Sequence, residues 1–184
     1  MKKITFLLIT AFFVALNANS AQADSYQYTP YAGIDYTYSH ATAKRFSPYY
    51  NIAGLHIGSD YSQYFGTELF FNQSTGNKRH IDDASIKTSY RSYGLDLFAY
   101  LPVGCNKRFS LLGTLGAGEY RYKITVSPAK HHNESGWGYR MGGGFKYALN
   151  KNWGFRTIVR YVNFDKIKAY KYAMEYSAGI EYHF

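Results

Sequence analysis

Beyond its first two dozen residues, the 184-residue chain has no apolar run approaching the about 18 residues that a membrane helix requires. Its mean hydropathy of −0.36 is likewise too polar for a helical membrane protein. Helical spans are therefore excluded. A single cysteine, Cys105, rules out an internal disulfide, and its distance from the N-terminus rules out the acylated first residue of a lipoprotein. The expectation for Cys105 is an unpaired, inert thiol in a tight turn. Prolines number only four, and acidic residues are scarce: 12 Asp and Glu stand against 21 Lys and Arg. No nucleic-acid-binding module accompanies that basic excess, so nucleic acid is not expected as a partner. No cofactor motif is present either.

What is present begins with an export segment. Met1-Lys2-Lys3 is a basic start, Ile4 to Leu16 an apolar run, and Ala21-Gln22-Ala23 a small-x-small cleavage site. Residues 1–23 thus read as a secretory signal peptide and residues 24–184 as one domain. Aromatic residues make up 20% of the chain, 21 of them Tyr, together with 17 Gly, a composition suited to strands and turns. Eight stretches alternate with a period of two and no helical period: roughly Tyr31 to Ser39, Tyr50 to Gly58, Phe65 to Gln73, Ser92 to Leu101, Phe109 to Tyr122, Trp137 to Leu149, Trp153 to Asn163 and Met174 to Phe184. The connections alternate between tight and long. Ser59 to Tyr64, Pro102 to Arg108 and Asn150 to Asn152 are tight; Ala41 to Tyr49, Gly76 to Thr88 and Lys123 to Gly136 are long and polar, and Asp165 to Lys171 is basic. An up-and-down antiparallel sheet whose two rims face different surroundings has this pattern.

Parity separates two faces. One carries Ile34, Tyr36, Leu55, Ile57, Leu69, Phe71, Tyr93, Leu95, Leu115, Met141, Val159 and Ile180 and is almost free of charge. The other carries Asp35, His56, Glu68, Asp96, Arg140, Lys146, Arg156, Arg160, Glu175 and Glu181, interleaved with most of the glycines. Alternation alone fits a soluble barrel as well as a membrane barrel, one being the other turned inside out. Size decides between them, because eight closed strands enclose room for few large side chains. The apolar face would overfill that space, whereas glycine alternating with long charged residues fits it. Glycine facing solvent loses entropy and packs nothing, but inside a narrow barrel it relieves crowding. Tyr31, Tyr49, Tyr50, Tyr64, Trp137, Tyr147, Trp153 and Tyr182 near strand ends read as interfacial belts. The expected fold is an all-β, eight-stranded antiparallel up-and-down transmembrane β-barrel.

Tyr31-Ala-Gly-Ile-Asp-Tyr, Tyr64-Phe-Gly-Thr-Glu-Leu-Phe-Phe and Gly136-Trp-Gly-Tyr-Arg-Met-Gly-Gly-Gly resemble the small outer-membrane β-barrel domain of OmpA/OmpX-type and opacity-like surface proteins of Gram-negative bacteria. The resemblance spans the mature chain. It implies a bacterial outer-membrane location with both termini periplasmic, and it makes the alternating end of the chain, Tyr182 and Phe184 in particular, a signal to the outer-membrane assembly machinery. Members serve as surface antigens, adhesion or serum-resistance factors, structural barrels and, rarely, enzymes, so the resemblance implies little about activity.

Among residues able to do chemistry, Asp35, Glu68, Asp96, Glu175 and Glu181 face Arg140, Lys146, Arg156 and Arg160, with His56 and His183 nearby. Paired carboxylates beside histidine fit general acid/base work. Without a cleft, a structural ion network filling the lumen is the better expectation, and a pore would need a wider barrel. His131-His132-Asn133-Glu134 and His80 offer metal-ligand types in no closed motif, and a solvated loop is expected there. Ser39-His40 and Ser89 lack a third catalytic group, so no enzymatic site is assigned. Lys44, Arg45, Lys78, Arg79, Lys87, Lys123, Lys130, Lys166, Lys168 and Lys171 dominate the long connections. They favour anionic outer-membrane lipid, lipopolysaccharide and acidic host or matrix surface molecules as partners of a monomer. The expected function is a structural or surface-interaction role (adhesion, antigen) through outer loops. The competing readings are an outer-membrane enzyme acting on lipid and a soluble periplasmic ligand-binding barrel.

Overall fold

The computed structural model of the protein describes residues 28–43, 48–81, 84–104, 107–126, 130–165, 167 and 170–184. The signal peptide expected over residues 1–23 and the thiol of Cys105 lie outside the described residues. Nine strands follow in order: β1 (Thr29–Ala43), β2 (Tyr49–Ser62), β3 (Phe65–Ser74), β4 (Asn77–Ile81), β5 (Ala84–Val103), β6 (Phe109–Val126), β7 (Lys130–Ala148), β8 (Trp153–Phe164) and β9 (Tyr170–His183). Each pairs antiparallel with its neighbours in the order β3-β2-β1-β9-β8-β7-β6-β5, and β5 returns to β3, which closes the sheet.

β3 and β4 are two halves of one strand. Gln73 lies opposite Arg91 and Asn77 opposite Thr88, so four steps on one side answer three on the other. One extra residue at Thr75–Gly76 makes a bulge, and Gly76 takes it up with a positive φ of 22°. The result is an eight-stranded, all-antiparallel barrel whose strands match the eight sequence segments. Closure leaves no free edge around the barrel itself, as a β structure in lipid requires, and the extensions, β4 and the first part of β7, pair on one side among the described residues.

The apolar parity set points outward. Ile34, Leu55, Leu115, Tyr139 and Met141 are each more than half exposed on the wall, and the band continues through Leu95, Val159 and Ile180. An exposed apolar band of this extent belongs in lipid. Tyr49, Tyr64, Trp137, Tyr147, Trp153 and Tyr182 sit at its margins facing out. Tyr31 and Tyr50 correct the sequence reading. Both turn into the lumen, 2% and 1% exposed, because each lies one residue out of phase with the outward set on its strand.

The long connections are also corrected. Gly76 to Thr88 and Lys123 to Gly136 were expected as loops, yet most of both stretches is ladder. β4 pairs with β5 from Asn77–Thr88 to Ile81–Ala84, and β6 pairs with β7 out to Val126–Lys130. Once a hairpin begins, each further pair satisfies two backbone groups, so a polar stretch continues as ladder. β5, β6 and β7, of 20, 18 and 19 residues, exceed the 9 to 11 or so that cross a bilayer. They therefore project beyond the lipid band at the end opposite the termini.

Candidate functional site

The lumen is built in layers. At the end near the termini, Lys146 Nζ bridges Asp60 Oδ2 at 2.9 Å and Glu181 Oε1 at 2.7 Å, between the rings of Tyr31 and Tyr100. His183 Nε2 lies 3.0 Å from the same Glu181 oxygen. Next comes Arg156, whose guanidinium donates to Glu68 and, at 2.9 Å, to Asp35 Oδ2, with Glu181 at 3.8 Å. Tyr31 donates its hydroxyl to Glu68 at 3.1 Å, and His56 Nδ1 stands 2.9 Å from Asp35. Deeper still, Arg140 forms a two-pronged pair with Asp96 while its guanidinium lies 3.3 Å above the Phe70 ring centroid. Arg160 reaches Asp96 at 3.4 Å and donates to the Ser177 hydroxyl at 2.9 Å. Burying such charges is tolerable only when each finds a partner and its lone pairs are met.

Glycine makes the room for this network. A Cβ on Gly116 would fall 1.9 Å from Asp96 Oδ1, and one on Gly179 would fall 1.9 Å from Asp35 Oδ1. Glu175 stands apart from the ion pairs. Tyr90 donates its hydroxyl to Glu175 Oε1 at 2.9 Å, and no Lys, Arg or His lies within salt-bridge distance among the described residues. Asp60 was missed by the sequence reading, which ended the second strand at Gly58; carrying the parity of Gly54, His56 and Gly58 two residues further would have found it.

Above Glu175 the lumen changes character. Tyr50, Tyr90, Tyr120, Tyr122, Phe164, Ile167 and Tyr170 pack with Ile52 and Val162 in one buried cluster. Tyr122 and Tyr170 have ring centroids 4.4 Å apart, Tyr90 and Tyr122 5.0 Å, and the Tyr50 and Tyr170 hydroxyls share a 3.0 Å hydrogen bond. Asp96, Glu175, Arg156 and Arg160 are at most 4% exposed. Charged and aromatic layers together fill the described lumen with buried side chains.

Several residues singled out as candidates are not brought together. Ser39 is fully buried in the lumen while its neighbour His40 stacks on Tyr49 outside, 4.5 Å between rings, because adjacent strand residues face opposite ways. His80 is on β4 and His131 and His132 are on β7, with β5 and β6 between them. Three strand spacings amount to roughly 14 Å, too far for one metal ion. The His131–Glu134 stretch is ladder, paired with Thr125 to Tyr122, where a loop was expected; of His80, His131 and His132 only the backbone is described. Lys44, Arg45, Lys166 and Lys168 lie outside the described residues.

The outer wall of the projecting end holds a group that the sequence reading passed over. Arg121 donates through Nε to Glu119 Oε1 at 2.8 Å and through Nη2 to the Tyr93 hydroxyl at 3.1 Å, and Tyr93 in turn donates to Glu119. Arg91 donates to Gln73 Oε1 at 2.6 Å. Gln73, Arg91, Glu119, Arg121 and Lys123 border a shallow hollow of about 510 Å³. Arg91 and Lys123 fell just outside the expected segments, whereas Glu119 and Arg121 lay within one but were assigned to neither face.

No curated protein sequence matches the chain. Solved structures share its fold at low identity. Neisserial surface protein A matches with a TM-score of 0.71 at 14% identity over 84% of this chain and 97% of that one. Ail, the attachment invasion locus protein of Yersinia pestis, in complex with the heparin analogue sucrose octasulfate, matches with a TM-score of 0.63 at 17% identity over 85% and 99%. OprG of Pseudomonas aeruginosa matches with a TM-score of 0.58 at 16% identity over 85% and 95%. The model of the outer membrane protein beta-barrel domain matches residues 6–184. A lipid-facing apolar wall, closed antiparallel strands and that match agree: the chain belongs to the outer-membrane β-barrel domain family, and its place is the bacterial outer membrane.

Proposed function

We propose that the protein is a surface-interaction barrel with no enzymatic role: the filled lumen anchors the outer-membrane wall, and the projecting end of β4 to β7 meets molecules outside the cell. The observation that carries this reading is the projection itself. Strands of 18 to 20 residues raise a polar, base-bearing sheet clear of the lipid band, while layered ion pairs and aromatic rings occupy the space a channel would need. Both termini are periplasmic in this reading, because Gln63–Tyr64, residues 104–108 and residues 149–152 are short connections at the terminal end and short turns mark the periplasmic rim. Phe184 and Tyr182 then face the compartment from which the assembly machinery acts, the chain inserts as a monomer, and residues 1–23 are removed on export.

Acidic surface polysaccharide of host or matrix is the partner class favoured for the projecting end. Two supports are the excess of Lys and Arg and the capture of a heparin analogue by Ail, which shares the fold. The test is twofold. An epitope inserted between Val126 and Lys130 should bind antibody on intact cells, and one inserted at residues 149–152 only after permeabilisation; the reverse would invert the orientation. Replacing Ile124 to His132 by a two-residue turn should abolish adhesion of cells to heparin-coated surfaces without changing barrel levels. Undiminished adhesion would refute the role of the projecting end.

A further inference from the structure

We propose that Arg91, Arg121 and Lys123 form a binding site for the phosphate of an outer-leaflet glycolipid, on the outward wall of β5 and β6. The ladder sets Arg91 directly opposite Arg121, on the same outward face. Like charges placed across a strand pair destabilise it unless something lies between them. Lys123 is the next same-face position on β6, opposite Ser89 on one side and Asn133 on the other. Three cations therefore border one hollow of about 510 Å³.

The guanidinium groups are held rather than loose. Arg91 is fixed through Nε by Gln73, and its Cζ lies 5.9 Å from the Phe71 ring centroid. Arg121 is fixed through Nε by Glu119 and through Nη2 by Tyr93, with Cζ 5.7 Å from the Tyr93 ring. Among the described residues both Nη groups of Arg91 and the Nη1 group of Arg121 are left to donate, in a fork whose geometry suits phosphate. Glu119 offsets part of the charge of Arg121, and Glu134, which has a partner of its own, borders the hollow from β7. Glu119 is taken up by Arg121 and Tyr93.

Depth distinguishes a lipid from a soluble polyanion. One same-face step toward the termini from Arg91, Arg121 and Ser135 brings Tyr93, Glu119 and Trp137, and Trp137 is 58% exposed on the wall. Tyr and Trp rings mark the level of the head groups. A phosphate at Arg91 and Arg121 thus sits where the apolar part of the same molecule continues down the lipid-facing wall. A soluble polysaccharide would meet the tips of the hairpins first.

The site rests on the orientation proposed above, but its test does not. Protein refolded in detergent is mixed with diphosphoryl lipid A or with the dephosphorylated glycolipid, and retained lipid is counted by native mass spectrometry. Retention of the diphosphoryl form should fall about tenfold in the Arg91→Gln, Arg121→Gln, Lys123→Gln triple variant, a difference of about 1.4 kcal/mol, and by less in Arg91→Lys, Arg121→Lys, which keeps the charge and loses only the fork. The dephosphorylated form should be retained no better by the wild type than by the triple variant. Folding of each variant is checked by its heat-sensitive gel mobility. Equal retention by folded wild type and triple variant, or by both glycolipids, would overturn the site. So would displacement by inorganic phosphate at concentrations equal to the lipid, since that would make it a free-anion site. A reversed epitope pattern on cells with retention intact would instead fault the orientation and overturn the assignment of the lipid to the outer leaflet, while leaving the phosphate contacts standing.

Discussion

Replacing Arg140 by Met removes one side of a fully enclosed ion pair. Asp96, 0% exposed, loses both prongs of its contact with Arg140 and keeps only Arg160 at 3.4 Å. Leaving a buried carboxylate short of its partner costs about 3 to 5 kcal/mol, a large share of the stability of a domain. Asp96→Leu should cost at least as much, because it strands Arg140 and deprives Arg160 of the carboxylate it reaches at 3.4 Å. The double variant Asp96→Leu, Arg140→Met should cost clearly less than the sum of the two singles, since it removes both charges of the pair together. Urea titration of protein folded into vesicles measures this through Trp137 and Trp153, both facing out at the margins of the lipid band. Two small, additive losses, each below about 1 kcal/mol, would refute the idea that these charges are held by mutual pairing in a buried lumen.

Gly116 and Gly113 lie on the same strand and should respond in opposite ways to alanine. A Cβ at Gly116 falls 1.9 Å from Asp96 Oδ1, so Gly116→Ala should cost about 2 kcal/mol or more, whereas Gly113, with nothing within 4 Å, should change stability by less than about 0.5 kcal/mol; comparable losses in urea would fault the packing described. Deleting Phe184, 73% exposed and joined by one backbone bond to Pro30, should leave refolding in detergent intact but lower outer-membrane levels in cells. Removing β9 should abolish folding everywhere, because β1 and β8 would be left unpaired in lipid. Refolding without β9, or normal surface levels without Phe184, counts against the respective claim. Planar bilayers containing the protein should show no conductance steps, and single-channel recording that finds a regular open state would contradict a filled lumen.

The strand count, the parity of the wall and the membrane setting were legible in the sequence, because a period of two is local and because eight strands cannot enclose two dozen large apolar side chains. Ile34, Leu55, Leu115 and Ile180 declare the lipid face without any knowledge of their neighbours. Tyr31 and Tyr50 do not. An aromatic ring near a strand end serves equally as an interfacial anchor or as a lumen plug; both open their expected segments on the inward parity, and only the ladder's keeping that phase to the strand ends sets them inside, beside Tyr100 at one end and Tyr90, Tyr122 and Tyr170 at the other. The extent of the hairpins was hidden for a similar reason: polar residues such as Lys123 and Asn133 look like loop until they are seen paired across strands that have already left the lipid. The partners of each charge were beyond the sequence altogether. Arg156 on β8 meets Glu68 on β3 across the lumen, far apart in the chain and not neighbours in the sheet, because closure and stagger of the barrel, not sequence spacing, set which inward side chains share a level.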